Sequence, residues 1–360
     1  MVTQPGPGRR TVLRGGLTAT AAGAFALAAN GPAAAAPARD SRRLLAVPEP
    51  RIYSTSEWGA RPPNGQIVVL DRVPTYIVVH HTAEPGNSED YSLAHAMAIC
   101  RSIQNYHMDG QGWSDSGQQF TNSRGGFVLE GRHQSLDVVR GGTRHVQGAN
   151  VGGRNSEVIG IENEGLYTQV DVPAALWDSL VQLVAWIASR YGRPVADIMG
   201  HRDFNSTECP GDVLYGRLQE LRDAVAGALG VAPAARPSVW PLLRPGAAGP
   251  QVRAAQYLLR ARGFSDVPVD GVFGADTKRA VAKLADVHNI DKHTCAATLR
   301  AGTDETGYLG SDIWPLITPE VRASENADVE RAVTTLHRAG ADRSHSAGVL
   351  DATRWKRLLA

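Results

Sequence analysis

Residues 200–211, with the sequence GHRDFNSTECPG, constrain this chain more than any other stretch. They place the imidazole of His201 eight positions before the thiol of Cys209, and Pro210 and Gly211 then force a turn. A histidine and a cysteine on one loop can share a metal ion. Zinc at a catalytic site usually takes three protein ligands and leaves a fourth position for water. The segment therefore predicts a third donor elsewhere in the chain.

The best candidate for that donor is the pair His80 and His81. The pair follows the apolar, β-branched run at residues 76–79, which predicts a buried strand. One of the two imidazoles would then lie at the end of that strand, at the edge of the sheet. Two alternatives stay open on the pattern alone. A histidine after a strand is often a hydrogen-bonded structural residue, and a loop cysteine such as Cys209 can equally be an inert buried thiol or half of a disulfide.

Length and composition limit the classes of protein. A chain of 360 residues is too long for one compact core and predicts at least two domains. Its 37 basic and 36 acidic residues give a formal net charge of +1, so nucleic acid is not an expected partner. Three cysteines, Cys100, Cys209 and Cys295, are too few for a disulfide framework.

The amino terminus predicts export. Arg9 and Arg10 precede a weakly apolar run that extends to about Ala36 and ends in small residues suited to a signal peptidase. This order resembles a twin-arginine signal over residues 1–38, followed by a linker at 39–51, and it predicts a secreted protein. The alternative is a disordered basic tail. After signal removal we expect no integral membrane segment, because no other stretch is long and apolar enough.

The pattern of residues 52–230 predicts an α/β domain, with a mixed central sheet flanked by helices. Strand patterns cover residues 76–80, 119–122, 127–130 and 158–164, and helical patterns cover residues 91–108, 173–191 and 212–229.

A carboxylate stands near the end of the strand pattern at residues 158–164. A zinc hydrolase needs a base that takes a proton from water and returns it to the leaving amine, and a carboxylate at the end of a core strand can do both. Partial burial would raise its pKa toward the working range. Glu162 and Glu164 both fit by spacing, and either could instead pair with an arginine and orient a loop.

Six separated motifs occur in one order: EWGARP at 57–62, VVHHTA at 78–83, IQNYHM at 103–108, WSDSG at 113–117, IGIE at 159–162, and GHRD with CPG within 200–211. Together they resemble the peptidoglycan-recognition-protein type of zinc N-acetylmuramoyl-L-alanine amidase over residues 52–230. The resemblance implies hydrolysis of the amide that joins the lactyl group of muramic acid to the L-alanine of the stem peptide. It also implies peptidoglycan as partner and His80, His201 and Cys209 as zinc ligands.

Two departures from the family pattern bear on the catalytic residues. The tyrosine of the family's GYNF segment is Gln118 here, and glutamine cannot ionise. Related anhydro-muropeptide amidases use the glutamate of an IGIE segment as base, which implies Glu162. Thr207 stands where some members carry lysine, and its hydroxyl can donate a hydrogen bond to the oxyanion. The alternative is an ordinary surface threonine.

Four substrate-binding residues follow from the same resemblance. Gly112 and Trp113 match a pair that in recognition proteins goes with diaminopimelate at the third stem position, although a tryptophan beside a glycine is also ordinary packing. His107 stands where the family contacts peptide. Asn150 replaces a histidine that is often found in the family's GAH segment.

Beyond residue 230 the composition changes. Residues 231–239 predict an Ala/Pro-rich linker, and residues 240–360 predict a smaller, mainly helical domain with two degenerate repeats. WPLL at 240–243 returns as WPLI at 314–317, and residues 252–263 align with 329–340. The first copy resembles the three-helix peptidoglycan-binding module through GPQV at 249–252 and DGVFG at 270–274. A helical domain without ligand affinity is the alternative.

Three functions are compatible with these observations, and an exported, cell-wall-associated zinc amidase is favoured. A non-catalytic peptidoglycan receptor comes second, but such receptors typically lose the cysteine ligand that Cys209 supplies. A zinc peptidase that cuts within stem peptides comes third, and the order of the metal motifs argues against it.

Overall fold

The structure is a computed structural model that describes residues 45–291, 297–298, 303–341 and 348–360, and the backbone of residues 294–295. The predicted signal at residues 1–38 and the linker residues 39–44 lie outside the described residues, as does the side chain of Cys295. None of the helices in the described part is long and apolar enough to cross a bilayer. Two hydrophobic cores form, one in the sheet half (residues 45–239) and one in the helical half (residues 240–360).

A mixed six-stranded sheet organises the sheet half. The strands are β1 Ile52–Tyr53, β3 Tyr76–His81, β4 Phe120–Asn122, β5 Val128–Glu130, β7 Val158–Asn163 and β8 Ile198–Gly200, and β2 Val69–Leu70 pairs separately with β6 His145–Val146. Their spatial order is β1-β5-β4-β7-β3-β8. Only β4 and β5 run antiparallel within this sheet. The predicted mixed central sheet is confirmed.

The two central strands explain why the sequence pattern there is almost continuously apolar. Both faces of these strands are covered, one by the main hydrophobic core and the other by a small cluster around Val151, so that all six residues of β7 are buried, as are five of the six in β3. The helices of this half are α1 Leu93–Asn105, α2 Ser135–Gly141, α3 Ala174–Tyr191, α4 Asp212–Gly216 and α5 Leu218–Leu229. Leu176, Leu180 and Leu183 recur at helical spacing on α3 and lie fully buried in the core.

Two helices differ from their predicted extents. The pattern at residues 91–108 predicts one helix, but α1 ends at Asn105 and continues as a π-helical turn, Tyr106–Gly110. The pattern at residues 212–229 also predicts one helix, but a turn at Arg217, with φ −87° and ψ 0°, separates α4 from α5. Both breaks are local changes of hydrogen-bonding pattern that apolar periodicity does not encode.

The helical half contains α6 Pro250–Ala261, α7 Ala275–Val287, α8 Trp314–Ile317, α9 Ala327–Arg338 and α10 Ala352–Leu359, with short strand pairs between them. The aligned repeat segments lie largely in α6 and α9, and these helices pack against each other. The repeated tryptophans Trp240 and Trp314 stack with ring centroids 6.0 Å apart and an interplanar angle of 11°. The two copies therefore share one core, as expected for repeats too short to bury their apolar faces alone.

Candidate active site

The carboxyl ends of three parallel strands bring the predicted site residues to one edge of the sheet. In the β3–β7 ladder, His80 is directly opposite Glu162. In the β3–β8 ladder, Val79 is opposite Gly200, so His201 begins the next turn beside His80. This edge of a parallel sheet is the usual location of functional residues in α/β folds.

Three donor atoms converge there. One ligand atom each from His80, His201 and Cys209 lies within 4.8 Å of the other two. The Cys209 Sγ is 3.7 Å from His80 Nδ1, and the two imidazole ring centroids are 4.5 Å apart. His80 and Cys209 are buried, at 1% and 2% exposure.

This donor set fits zinc. Tetrahedral ligands at the usual Zn–N and Zn–S bond lengths lie roughly 3.6 Å from each other, close to the observed sulfur–nitrogen separation. Burial lowers the pKa of His80 to about 3 and keeps its imidazole neutral, as a ligand must be. The His201 Nε2–H donates to Asn205 Oδ1 at 3.1 Å, which leaves Nδ1 as the ring nitrogen with a lone pair.

His81 has a supporting role. Its Nδ1 accepts a hydrogen bond from the Tyr167 backbone N–H at 3.3 Å, and its own backbone N–H donates to the Cys209 sulfur at 3.3 Å. Burial, followed by the charge of Arg202, lowers the pKa of His81 to about 3. Of the two neighbouring histidines, only His80 belongs to the convergent donor set.

The structure separates the two candidate carboxylates, which spacing could not distinguish. Glu162 lines the same cavity as the three donors, is 8% exposed, and its Oε2 has no hydrogen-bond partner in the described part of the chain. Burial raises the pKa of Glu162 to about 8. Glu164 instead contacts His95 Nε2 at 2.7 Å and accepts the Arg124 backbone N–H at 2.9 Å, so it fixes a loop.

Thr207 lines the cavity, and protein groups engage its hydroxyl. It is 1% exposed, so the surface-threonine alternative is wrong. Its hydroxyl accepts the Cys209 backbone N–H at 3.1 Å and donates to Glu305 Oε1 at 3.0 Å. A hydroxyl has one proton to donate, so in this geometry Thr207 cannot also donate to an oxyanion.

A cavity of about 560 Å³ opens beside the donors. Three of the four predicted substrate residues, His107, Trp113 and Asn150, line it, and Gly112 does not. Gly112 has φ +70°, a left-handed conformation that turns the chain just before Trp113. The His107 and Trp113 rings lie 4.7 Å apart, and His107 Nδ1 accepts the Gly117 backbone N–H at 2.9 Å.

The position of Asn150 depends on a glycine in β7. The Asn150 Nδ2–H donates to the Gly117 carbonyl at 2.8 Å, and its Oδ1 interacts with the His80 side chain. A Cβ at Gly160 would lie 2.4 Å from that Oδ1, so any side chain at Gly160 would displace Asn150 from the cavity wall. Gln118, at the family's tyrosine position, is 1% exposed, does not line the cavity, and donates to Thr121 Oγ1 at 2.9 Å.

The helical half supplies wall residues that sequence reasoning missed. Asp291, Ala297 and Glu305 line the same cavity, and the Ala297 backbone N–H donates to the Thr82 carbonyl at 3.0 Å. No motif spacing relates these positions to the residues of the first 230. Only the packing of the two halves could have revealed them.

Comparison with known proteins agrees with the six motifs. A family model described as N-acetylmuramoyl-L-alanine amidase matches residues 70–212, and one for a peptidoglycan binding domain matches residues 248–284. The human N-acetylmuramoyl-L-alanine amidase is 34% identical over 172 residues, which is 47% of this chain and 28% of that protein. The Drosophila melanogaster peptidoglycan-recognition protein SC2 is also 34% identical over 172 residues, which is 47% of this chain and 84% of that protein.

Solved structures are also similar. Drosophila PGRP-LB is 28% identical with a TM-score of 0.42, covering 47% of this chain and 92% of that one. The amidase LysC from Clostridium intestinale is 22% identical with a TM-score of 0.38, covering 51% of this chain and all of the other. The chain spans little more than a quarter of the human and pig amidases that it matches, at 28% and 27%.

The sheet edge brings two imidazoles, a thiol and a buried carboxylate together in one cavity of an α/β domain. The chain belongs to the peptidoglycan-recognition-protein family, which includes N-acetylmuramoyl-L-alanine amidases.

Proposed function

We propose that this protein is an exported, zinc-dependent N-acetylmuramoyl-L-alanine amidase. It hydrolyses the amide between the lactyl group of muramic acid and the L-alanine of peptidoglycan stem peptides. The observation that carries the proposal is the convergence of His80, His201 and Cys209 in one cavity with the buried carboxylate of Glu162. Membership of a family that contains named amidases supports it.

In this proposal His80, His201 and Cys209 hold the zinc ion. When bound, zinc supplies a Lewis acid for the scissile carbonyl and makes water a stronger acid near neutral pH. The protein's part is to keep the His80 imidazole neutral by burial and to hold the sulfur in place with the His81 backbone N–H.

Glu162 moves the proton. Its carboxylate takes a proton from the attacking water and returns it to the departing alanine nitrogen, which then leaves as a neutral amine. A carboxylate of ordinary pKa would be a weak base near neutrality, and burial raises the pKa of Glu162 in the metal-free protein to about 8, toward the range in which a carboxylate can accept and return a proton.

The cavity wall beside the donors would bind the stem peptide and sugar. Trp113 and His107 offer two ring faces tilted 39° to each other, and Asn150 offers a side-chain amide. With Gly112 preceding it, Trp113 fits a stem peptide that carries diaminopimelate at the third position. The helical half, which contains the match to a peptidoglycan binding domain, would hold the enzyme on the cell wall.

We place the amidase domain at residues 52–230, a linker at 231–239 and the wall-binding helical domain at 240–360. Export follows from the twin-arginine pattern at residues 1–38, and the proposed location is extracellular, on peptidoglycan.

Identification of the new chain ends tests the proposal. The zinc-loaded full chain is incubated with purified cell wall, beside Glu162→Gln and the matched control Glu157→Gln, which makes the same change at a part-exposed residue just before β7. We expect new alanine amino ends with intact glycan from wild type and from Glu157→Gln, and none from Glu162→Gln. Binding without release would make the protein a receptor, and cuts inside the stem peptide would make it a peptidase.

A further inference from the structure

The metal-binding loop, residues 200–212, is held by the helical half as well as by the sheet. The Gly310 backbone N–H donates to Ser206 Oγ at 2.8 Å, and Ser311 Oγ donates to the Arg202 carbonyl at 2.7 Å. The Tyr308 hydroxyl donates to Glu208 Oε1 at 3.1 Å. These bonds tie one short segment of the helical half to the loop between His201 and Cys209.

Charged groups reinforce the same contact. Arg244 pairs with Glu208 at 3.2 Å and with Asp212 at 2.7 Å, and Asp312 accepts hydrogen bonds from Asn205 Nδ2, at 3.2 Å, and from the Ser206 hydroxyl. Asn205 is also the acceptor for the His201 Nε2–H. A freely tethered wall-binding module would not need contacts to so many consecutive residues of a catalytic loop.

Glu305 makes the most buried of these contacts. Its Oε1 accepts two hydrogen bonds, from the Thr207 hydroxyl at 3.0 Å and from the Glu208 backbone N–H at 2.6 Å. Glu305 is 2% exposed and Thr207 is 1% exposed, so water does not replace either bond. Hydrogen bonds to a buried carboxylate are short and strong compared with neutral ones.

A continuous relay therefore leads from the helical half to a metal ligand. Because Thr207 gives its only hydroxyl proton to Glu305, a lone pair of Oγ1 is directed to the Cys209 backbone N–H, which it accepts at 3.1 Å. This bond fixes the turn that carries the Cys209 sulfur toward His80.

We propose that Glu305 is a positioning residue for the Cys209 ligand and acts through Thr207, so that the helical half completes the metal centre. The proposal rests on the proposed function only in taking zinc as the ion. Without Glu305, the Thr207 hydroxyl loses its acceptor and turns, and the Cys209 backbone loses its fixed partner. Changes to residues that orient metal ligands typically weaken metal binding by about 10- to 100-fold.

Zinc affinity of the full chain, measured by competition with a chromogenic chelator, tests this proposal without any substrate. We expect Glu305→Ala and Thr207→Val each to weaken zinc binding by about 10- to 100-fold. Because the two residues act in one relay, the double variant should be no weaker than the weaker single variant. Glu305→Gln keeps an acceptor oxygen and should stay within about threefold of wild type.

The matched control is Asp304→Asn, which removes one negative charge from the neighbouring position. The Asp304 side chain is 70% exposed, and asparagine keeps the bond to the Thr306 backbone N–H, so zinc affinity should not change. Cobalt substitution gives a second measurement, because the thiolate-to-cobalt absorption band reports the position of the sulfur. That band should shift in Glu305→Ala and Thr207→Val and stay unchanged in Asp304→Asn.

Wild-type zinc affinity and an unshifted cobalt band in folded Glu305→Ala would overturn the proposal, and so would losses that multiply in the double variant. These results are distinguishable from failure of the proposed function. A protein that shows the coupling but releases no alanine ends refutes only the amidase assignment. A protein that releases them while Glu305→Ala binds zinc normally refutes only the relay.

Discussion

Replacing Glu162 with glutamine in the metal-free protein should stabilise the fold by an amount that grows with pH. The Glu162 side chain is 8% exposed, and its Oε2 has no hydrogen-bond partner among the described residues. A charge in that position is poorly solvated, and burial raises the pKa of the carboxyl from 4.5 to about 8. Glutamine has nearly the same shape and never ionises.

The sign and size follow from proton linkage. Between pH 4.5 and 8 the unfolded chain releases the Glu162 proton and the folded chain keeps it, so the free energy of unfolding of wild type falls as pH rises through this window. At 1.36 kcal/mol for each pKa unit, the loss reaches a ceiling of about 5 kcal/mol above pH 8. All other titrating groups contribute equally to wild type and variant and cancel in the difference.

Urea unfolding of chelator-treated proteins at pH 5, 6, 7, 8 and 9, followed by tryptophan fluorescence, measures that difference. The stability gained by Glu162→Gln should rise steadily to pH 8 and then level off. The surface variant Glu157→Gln should show no such trend. Hydrolysis by zinc-loaded Glu162→Gln should fall by at least about 100-fold, because proton transfer by a positioned side chain contributes that much or more.

A stability difference between Glu162→Gln and wild type that does not depend on pH, or one that shrinks as pH rises, would refute the reasoning. Either result would show that water or a cation solvates the Glu162 carboxylate in the folded metal-free protein. Glu162 would then lack the raised pKa that proton transfer near neutral pH requires.

Three further predictions test other parts of the account. His133 donates to the buried carboxylate of Asp115 at 2.8 Å, and this contact raises the pKa of His133. His133→Ala should therefore lower the free energy of unfolding by about 1–2 kcal/mol at pH 5–6. The loss should shrink as pH rises through the raised pKa of His133. Trp113→Ala should raise KM for muropeptide about 10-fold and leave kcat within about threefold, because its ring lines the cavity and is not among the convergent donors. Lysine at both Arg9 and Arg10 should retain the protein in the cytoplasmic fraction of a producing cell, as fractionation and immunoblotting would show.

The three convergent donors, His80, His201 and Cys209, could be predicted from sequence because each lies in a short motif near a strand end or a turn. The apolar run before His80 and the turn after Cys209 are local signals. Local sequence could not distinguish Glu162 from Glu164 as the base, because both lie at the carboxyl end of one strand and are buried. Cross-strand register and hydrogen-bond partners decide it, and Glu164 is already engaged by His95 and a backbone N–H.

The role of Thr207 could not be predicted for a related reason. Its partner Glu305 lies 98 residues further along the chain, in the helical half. The repeat pattern there predicts the helices of that half but not their contacts with the sheet half. The packing of the helical half on the sheet half determines that the Thr207 hydroxyl donates to Glu305, and sequence periodicity does not predict that contact. The break at Arg217 is a smaller case, because the helical pattern continues through it.

X-ray absorption at the zinc edge of the purified full chain tests the central claim most directly. We predict one zinc ion per chain with one sulfur neighbour at about 2.3 Å and two imidazole nitrogens at about 2.0 Å. The sulfur signal should disappear in Cys209→Ser. A zinc ion surrounded by oxygen alone, or a sulfur signal that persists in Cys209→Ser, would contradict the account.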